Sequence, residues 1–125
     1  MLKAPAVKTF RPFLPSKDFS VSKRFYQHLG FTLGNEWDGG AVFALGTSTF
    51  ILTNFYQEQF AGNFMMQLLV PDIDQWWEHI QAAGLAEKFD VSPPKAPKMQ
   101  PWGLVVAYFT DPSSVLWHVT PGAPE

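Results

Sequence analysis

Cysteine is absent from the 125 residues, which excludes disulfide frameworks, thiolate zinc sites, iron–sulfur clusters and cysteine nucleophiles together. The remaining chemistry rests on few side chains. Of the three histidines, His28 and His79 fall in helical segments. His118 falls on a strand, where an imidazole is a candidate general base near neutral pH. The other members of its strand face are Leu116 and Thr120, because residues two apart share a face. No acid, second imidazole or nucleophile stands there to complete a catalytic set, so catalysis by His118 is not the expectation. Arg11 is a second point of interest, because a guanidinium cannot be buried unpaired. It must reach solvent, pair with a carboxylate such as Glu36, or meet an anionic or aromatic ligand. Trp102 follows a proline-rich stretch and precedes a strand, where an indole can project over a pocket mouth and stack on a planar ligand. The plainer alternative for Trp102 is a hydrophobic plug beneath that loop.

Composition narrows the partners. Hydrophobic residues are 46% and charged residues 16%, enough apolar surface for a core and too little charge for a disordered chain. Lys plus Arg is 9 against Asp plus Glu 11, with no basic cluster to track a phosphate backbone, so nucleic acid is not an expected partner. The stretch from Met1 to Lys8 has no apolar signal core, and no later run approaches the roughly 18 apolar residues of a membrane span. A cytoplasmic location is the expectation, and the absence of cysteine fits a reducing compartment. The length favours one domain.

The elements that must position these residues occur twice. Asp18 to Gly30 reads DFSVSKRFYQHLG and Asp72 to Gly84 reads DIDQWWEHIQAAG, two gapless equivalents. Ser22, Tyr26 and Leu29 in the first match Trp76, Ile80 and Ala83 in the second, at i, i+4 and i+7 on one helical face. Each Asp stands where a carboxylate caps a first turn, and each Gly where a left-handed residue ends a helix. Extended runs precede them at Lys8 to Leu14 and Phe64 to Val70, ended by Pro15 and Pro71. Three more strands follow each helix: Phe31 to Trp37, Gly40 to Leu45 and Thr49 to Phe55, then Ala86 to Val91, Leu104 to Thr110 and Val115 to Thr120. Turn chemistry at Asp38-Gly39 and Gly46-Thr47 separates the first set. The stretch Ser92 to Pro101 carries four prolines and reads as a loop over an edge or pocket mouth. Each half is therefore β-α-β-β-β, about 8–55 and 64–120, joined through Tyr56 to Asn63. The class is α+β, with both sheets sharing one core because a half alone buries too little.

This duplicated unit resembles the vicinal oxygen chelate superfamily, which holds glyoxalase I, extradiol dioxygenases and bleomycin resistance proteins. The likeness lies in Asp18 with Phe25-Tyr26 and Gly30-Phe31, in Pro71-Asp72-Ile73-Asp74 with Ala82-Ala83-Gly84, and in Pro101-Trp102-Gly103 followed by Phe109-Thr110-Asp111-Pro112. It spans residues 8 to 120. One departure is Ser113-Ser114-Val115, where the family commonly has x-Gly-Asn. The resemblance implies two modules curled into an open cup, and metal ligands at four strand positions in the enzymes. Those positions fall here on Arg11, Met65, His118 and a place near Thr53. Arg donates only, a thioether rarely holds a catalytic divalent ion, and one imidazole plus one hydroxyl is too few ligands. No metal and no cofactor are expected, and family-type isomerisation or ring cleavage loses its Lewis acid.

Strand alternation from those positions adds Phe13 to Arg11, Gln67 and Leu69 to Met65, and Ile51 and Phe55 to Thr53. The candidate ligand set is Arg11, Phe13, Thr53, Phe55, Met65, Gln67, Trp102 and His118, mostly apolar with a few fixing groups. Each apolar member has a core residue as its plainer alternative. Trp76 and Trp117 read as core, while Trp37 and Trp77 read as edge residues that line the mouth or meet a partner. The expectation is a metal-free protein of the bleomycin-resistance type that sequesters a planar or amphipathic ligand in an aromatic-lined cup. The resemblance further implies antibiotic resistance and a homodimer, with exposed aromatics around Trp77 and Phe60 as contact candidates. The alternatives are a lyase or dioxygenase, metal-dependent or using His118, and a regulatory module with a vestigial cup.

Overall fold

The computed structural model describes residues 2–123; Met1, where the N-terminal stretch begins, lies outside them. The elements in order are β1 (Phe13–Pro15), α1 (Phe19–Leu29), β2 (Thr32–Trp37), β3 (Gly40–Leu45), β4 (Ser48–Thr53), α2 (Glu58–Ala61), β5 (Met65–Leu69), α3 (Ile73–Ala83), α4 (Leu85–Phe89), β6 (Lys95–Met99), β7 (Val105–Thr110) and β8 (Leu116–Thr120). They build an α+β fold with two open four-stranded sheets, ordered β1-β4-β3-β2 and β5-β8-β7-β6. In each, the first pair is parallel and the rest are antiparallel. The duplication in the sequence is thus a duplication of topology.

Helix punctuation follows the repeated Asp and Gly. The Asp18 carboxylate accepts from the Val21 N–H at 3.2 Å, and Asp72 from the Gln75 N–H at 3.1 Å. Each satisfies a first-turn donor that the helix itself leaves free. Gly30 and Gly84 take the left-handed conformation, with φ of 111° and 59°. One core then draws on both halves: Leu14, Phe25, Tyr26, Phe43, Phe50 and Leu52 from the first, Ile80, Leu85, Phe109, Trp117 and Val119 from the second.

Polar bonds tie the halves together inside that core. The buried Tyr26 hydroxyl donates to Asp111 at 2.6 Å and accepts from the Trp117 indole N–H at 3.0 Å. The other Asp111 oxygen accepts from the Ser113 and Val115 N–H groups at 2.8 and 2.9 Å. Ser113 in turn accepts from the Lys17 N–H at 2.8 Å. Burial raises the Asp111 carboxyl above its ordinary range, against the donors from Tyr26, Val115 and Ser113 that oppose it. Burial, then the charge of Asp111, raises the Tyr26 phenol well above its own. Among the described residues no buried side-chain nitrogen or oxygen lacks a partner, as a low-dielectric interior demands. At the helix ends the exchange is reciprocal: His28 bonds the Ala83 carbonyl at 2.8 Å, and His79 bonds the Leu29 carbonyl. These carbonyls close α3 and α1, so each helix end is covered by an imidazole from the other.

The elements differ from expectation in three places. The run from Ala86 to Val91 is not a strand: α4 occupies Leu85–Phe89, because Leu-Ala-Glu-Lys is a set of strong helix formers. The fourth strand of the second sheet is instead β6, inside the proline-rich stretch expected to be a loop. Proline is tolerated there because β6 is an edge strand and its pairing with β7 is irregular between Lys95 and Lys98, around Pro97. Finally, the first strand is short. Residues 8–12 lie outside β1 and are exposed. Trp77 packs half-buried against the core instead of standing at an edge.

Candidate functional site

The outward face of the second sheet forms an open groove of about 690 Å³, within the range of small-molecule sites. Its floor comes from strand register. Lys95 lies opposite Tyr108, Tyr108 opposite His118, and His118 opposite Gln67, so these four share one row on one face. The next row holds Thr110, Leu116 and Met65. The opposite faces of the same strands carry Phe109, Trp117 and Val119 into the core. Alternation thus turns Tyr108, Thr110, Leu116 and His118 toward the groove, and of the core residues Phe109 also borders it.

One wall is the turn between β6 and β7. The Gln100 N–H donates to the Leu104 carbonyl at 2.8 Å and the Gly103 N–H to the Gln100 carbonyl at 3.0 Å. Gly103, at φ 94°, supplies the left-handed step that closes this loop at little steric cost. The loop holds Trp102 at the groove rim, 56% exposed. Across the floor, Tyr108 and His118 meet edge to face with ring centroids 4.7 Å apart. Burial lowers the proton affinity of His118 below the ordinary histidine value, which favours the neutral ring. Met65, 62% exposed, completes the apolar side.

The bulge in β6 decides the polar side. Lys95 and Lys98 are an odd number apart, and a regular strand would send them to opposite faces. Lys95 pairs with Tyr108 and Lys98 with Val106, so three steps on β6 match two on β7. The extra residue returns both lysines to the groove, where both line it with Gln100. None of the described lining residues is Asp or Glu.

Of the eight residues proposed from sequence, Met65, Trp102 and His118 meet in this groove. Gln67 lies in the same row but outside the lining. Phe13 and Thr53 lie on the first sheet and Phe55 just beyond it. Arg11 stands before β1, exposed, donating to the Thr49 hydroxyl at 2.9 Å; Glu36 pairs instead with Lys23 at 2.6 Å. Trp37 ends β2, about half exposed, over Gly40. Sequence reasoning missed Tyr108, Lys95 and Lys98. Tyr108 was reachable by extending alternation to the strand beside β8, whereas the lysines depend on a bulge that no residue pattern announces.

The donors do not fit a chelated metal. The groove supplies one imidazole, a thioether, a phenol, the Ser92 and Thr110 hydroxyls, the Gln100 amide and ammonium groups, and among the described residues no three His, Cys, Asp or Glu side chains cluster.

The chain is 27% identical over 110 residues to a bleomycin resistance protein of Klebsiella pneumoniae, covering 84% of this chain and 85% of that protein. Among solved structures it is similar to a bleomycin-binding protein in complex with bleomycin, with a TM-score of 0.79, 24% identity and coverage of 94% and 100%. It is also similar to TnmS3, an antibiotic binding protein from Streptomyces sp. CB03234, with a TM-score of 0.72, 21% identity and coverage of 94% and 98%. Residues 8–119 match the Glyoxalase/Bleomycin resistance protein/Dioxygenase superfamily. With that match over nearly the whole sequence, the duplicated topology and the open paired sheets, the chain belongs to this superfamily.

Proposed function

We propose that the protein is a metal-free binding protein of the bleomycin-resistance type, which sequesters a planar or amphipathic small molecule in an aromatic-lined cup and so protects against an antibiotic. The observation that carries this reading is one groove that gathers three rings, the exposed Trp102 at its rim and the half-buried Tyr108 and His118 on its floor, beside the exposed Met65. Large apolar side chains left in solvent in a concave site mark a place where something binds. The similarity to bleomycin resistance and antibiotic binding proteins supports the same reading. Sequestration needs affinity and no chemistry, in keeping with a groove that offers one imidazole and no partner acid.

Titration with planar aromatic compounds should quench tryptophan fluorescence saturably. Trp102→Ala should weaken binding by up to about tenfold, the size of an aromatic stacking contribution. Saturable binding unaffected by that substitution would remove Trp102 from the site.

The functional unit we propose is a homodimer. Phe10 and Phe13 on the N-terminal side, with Phe55 and Leu69, leave large apolar surfaces exposed on one copy. In a second copy's embrace the residues on and beside the first sheet, Arg11, Phe13, Thr53 and Phe55, complete the cup. A concentration series by light scattering tests this, and a monomeric mass throughout would refute it.

A further inference from the structure

The reading of the groove as a ligand site leaves open which chemistry it selects, and the charges around it bear on that. We propose that this groove selects a planar aromatic anion, a flat ring system bearing an oxyanion, and disfavours the corresponding cation; the inference rests on the groove being the binding site. Lys95 and Lys98 both line it, and none of the described lining residues is acidic. Neither lysine has an ion-pair partner among the described residues, where the ion pair found is Lys23–Glu36. The nearest acid in sequence to the floor strands, Asp111, is turned into the core, where Tyr26, Ser113 and Val115 donate to it. The chain as a whole carries a formal charge of -2, so the positive groove is a local feature set against the net charge. A concave site lined by one sign concentrates the opposite sign.

Geometry gives the ligand its shape. Trp102 at the rim and the Tyr108–His118 pair on the floor present aromatic surfaces, which suit a flat π-system. The lysines come from β6, the strand that bounds the sheet beside Tyr108. Their methylene stems can flank an aromatic ring while the ammonium groups reach an oxyanion at its edge. A cation in the same place would meet two like charges and no counter-ion.

The test compares probes of one shape and four headgroups: naphthoate, naphthalenesulfonate, naphthamide and naphthylmethylammonium. Binding is followed by calorimetry, on the full chain and on Lys95→Gln/Lys98→Gln, with Lys95→Arg/Lys98→Arg as the charge-conserving control. The anions should bind roughly tenfold tighter than the amide at low salt, as charge-assisted contacts do, and the advantage should shrink as salt screens it. It should vanish in the glutamine variant and persist in the arginine variant. The tighter of the two anions distinguishes a planar carboxylate from a tetrahedral oxyanion. Equal affinity for anion and amide, or tighter binding of the ammonium, would overturn the inference while leaving the cup intact. Failure of all four probes would overturn the cup and the inference with it.

Discussion

The imidazole of His118 sits between Tyr108 and Gln67 in its row on the second sheet, and partial desolvation lowers its proton affinity. An unfolded chain returns the ring to water and to its ordinary value. As pH falls below that ordinary value, the unfolded state takes up a proton first, so stability declines progressively until the lowered value is passed and then levels off at its reduced level. Above the ordinary value this contribution to stability is fully present; below it, it is lost. Urea midpoints measured between about pH 7 and pH 5 should therefore fall more steeply for the native chain than for His118→Gln. Parallel slopes would refute the assignment. That His118 and Trp102 border one groove was legible, because a strand and a turn fix their positions locally. Tyr26 and Asp111 were legible as members of two motifs, yet their bond at 2.6 Å was not, since it spans 85 positions and belongs to the packing of the halves.

Elements followed the sequence wherever a local physical device marks them. The capped helices, the three strands after the first of them, the last two strands and the left-handed glycines stand within a residue or two of expectation, because capping and turn preferences act over a few residues. The second half failed where propensity and context compete: the segment after Gly84 has helix formers, and the proline-rich stretch finds a sheet edge that accepts it. The turn between β7 and β8 offers a further test. Ser114 stands at φ 74°, in the left-handed region that favours Gly, and its N–H donates to the Asp111 carbonyl at 3.1 Å. A left-handed non-glycine residue costs about 1–2 kcal/mol, partly offset by the entropy that glycine adds to the unfolded chain. Ser114→Gly should thus raise stability by about 0.5–1 kcal/mol in urea unfolding. A loss of stability would mean that the serine side chain compensates its backbone.

At the scale of the molecule, the two halves are joined through side chains as well as through the segment between them. Tyr26→Phe deletes the hydroxyl that serves Asp111 and Trp117 at once, leaving a buried acceptor and a buried donor short of a partner. The cost should be about 1–3 kcal/mol, with both halves lost in one transition followed by fluorescence and circular dichroism. An unchanged midpoint would show that the network carries no such weight. The groove was only partly legible because alternation tells which residues share a face but not which sheets meet. The proposed set was accordingly divided between two sheets. The irregular pairings have a consequence of another kind. Both outer strands, β2 and β6, are bulged, at Leu33/Glu36 and at Lys95/Lys98, and β1 is three residues long. An open sheet invites further strands at its rims, and a twisted, bulged or very short rim makes a poor template for them. The protein therefore carries its own resistance to fibrillar growth at three of its four sheet edges, and the regular β5 is the edge at which stray chain association would begin.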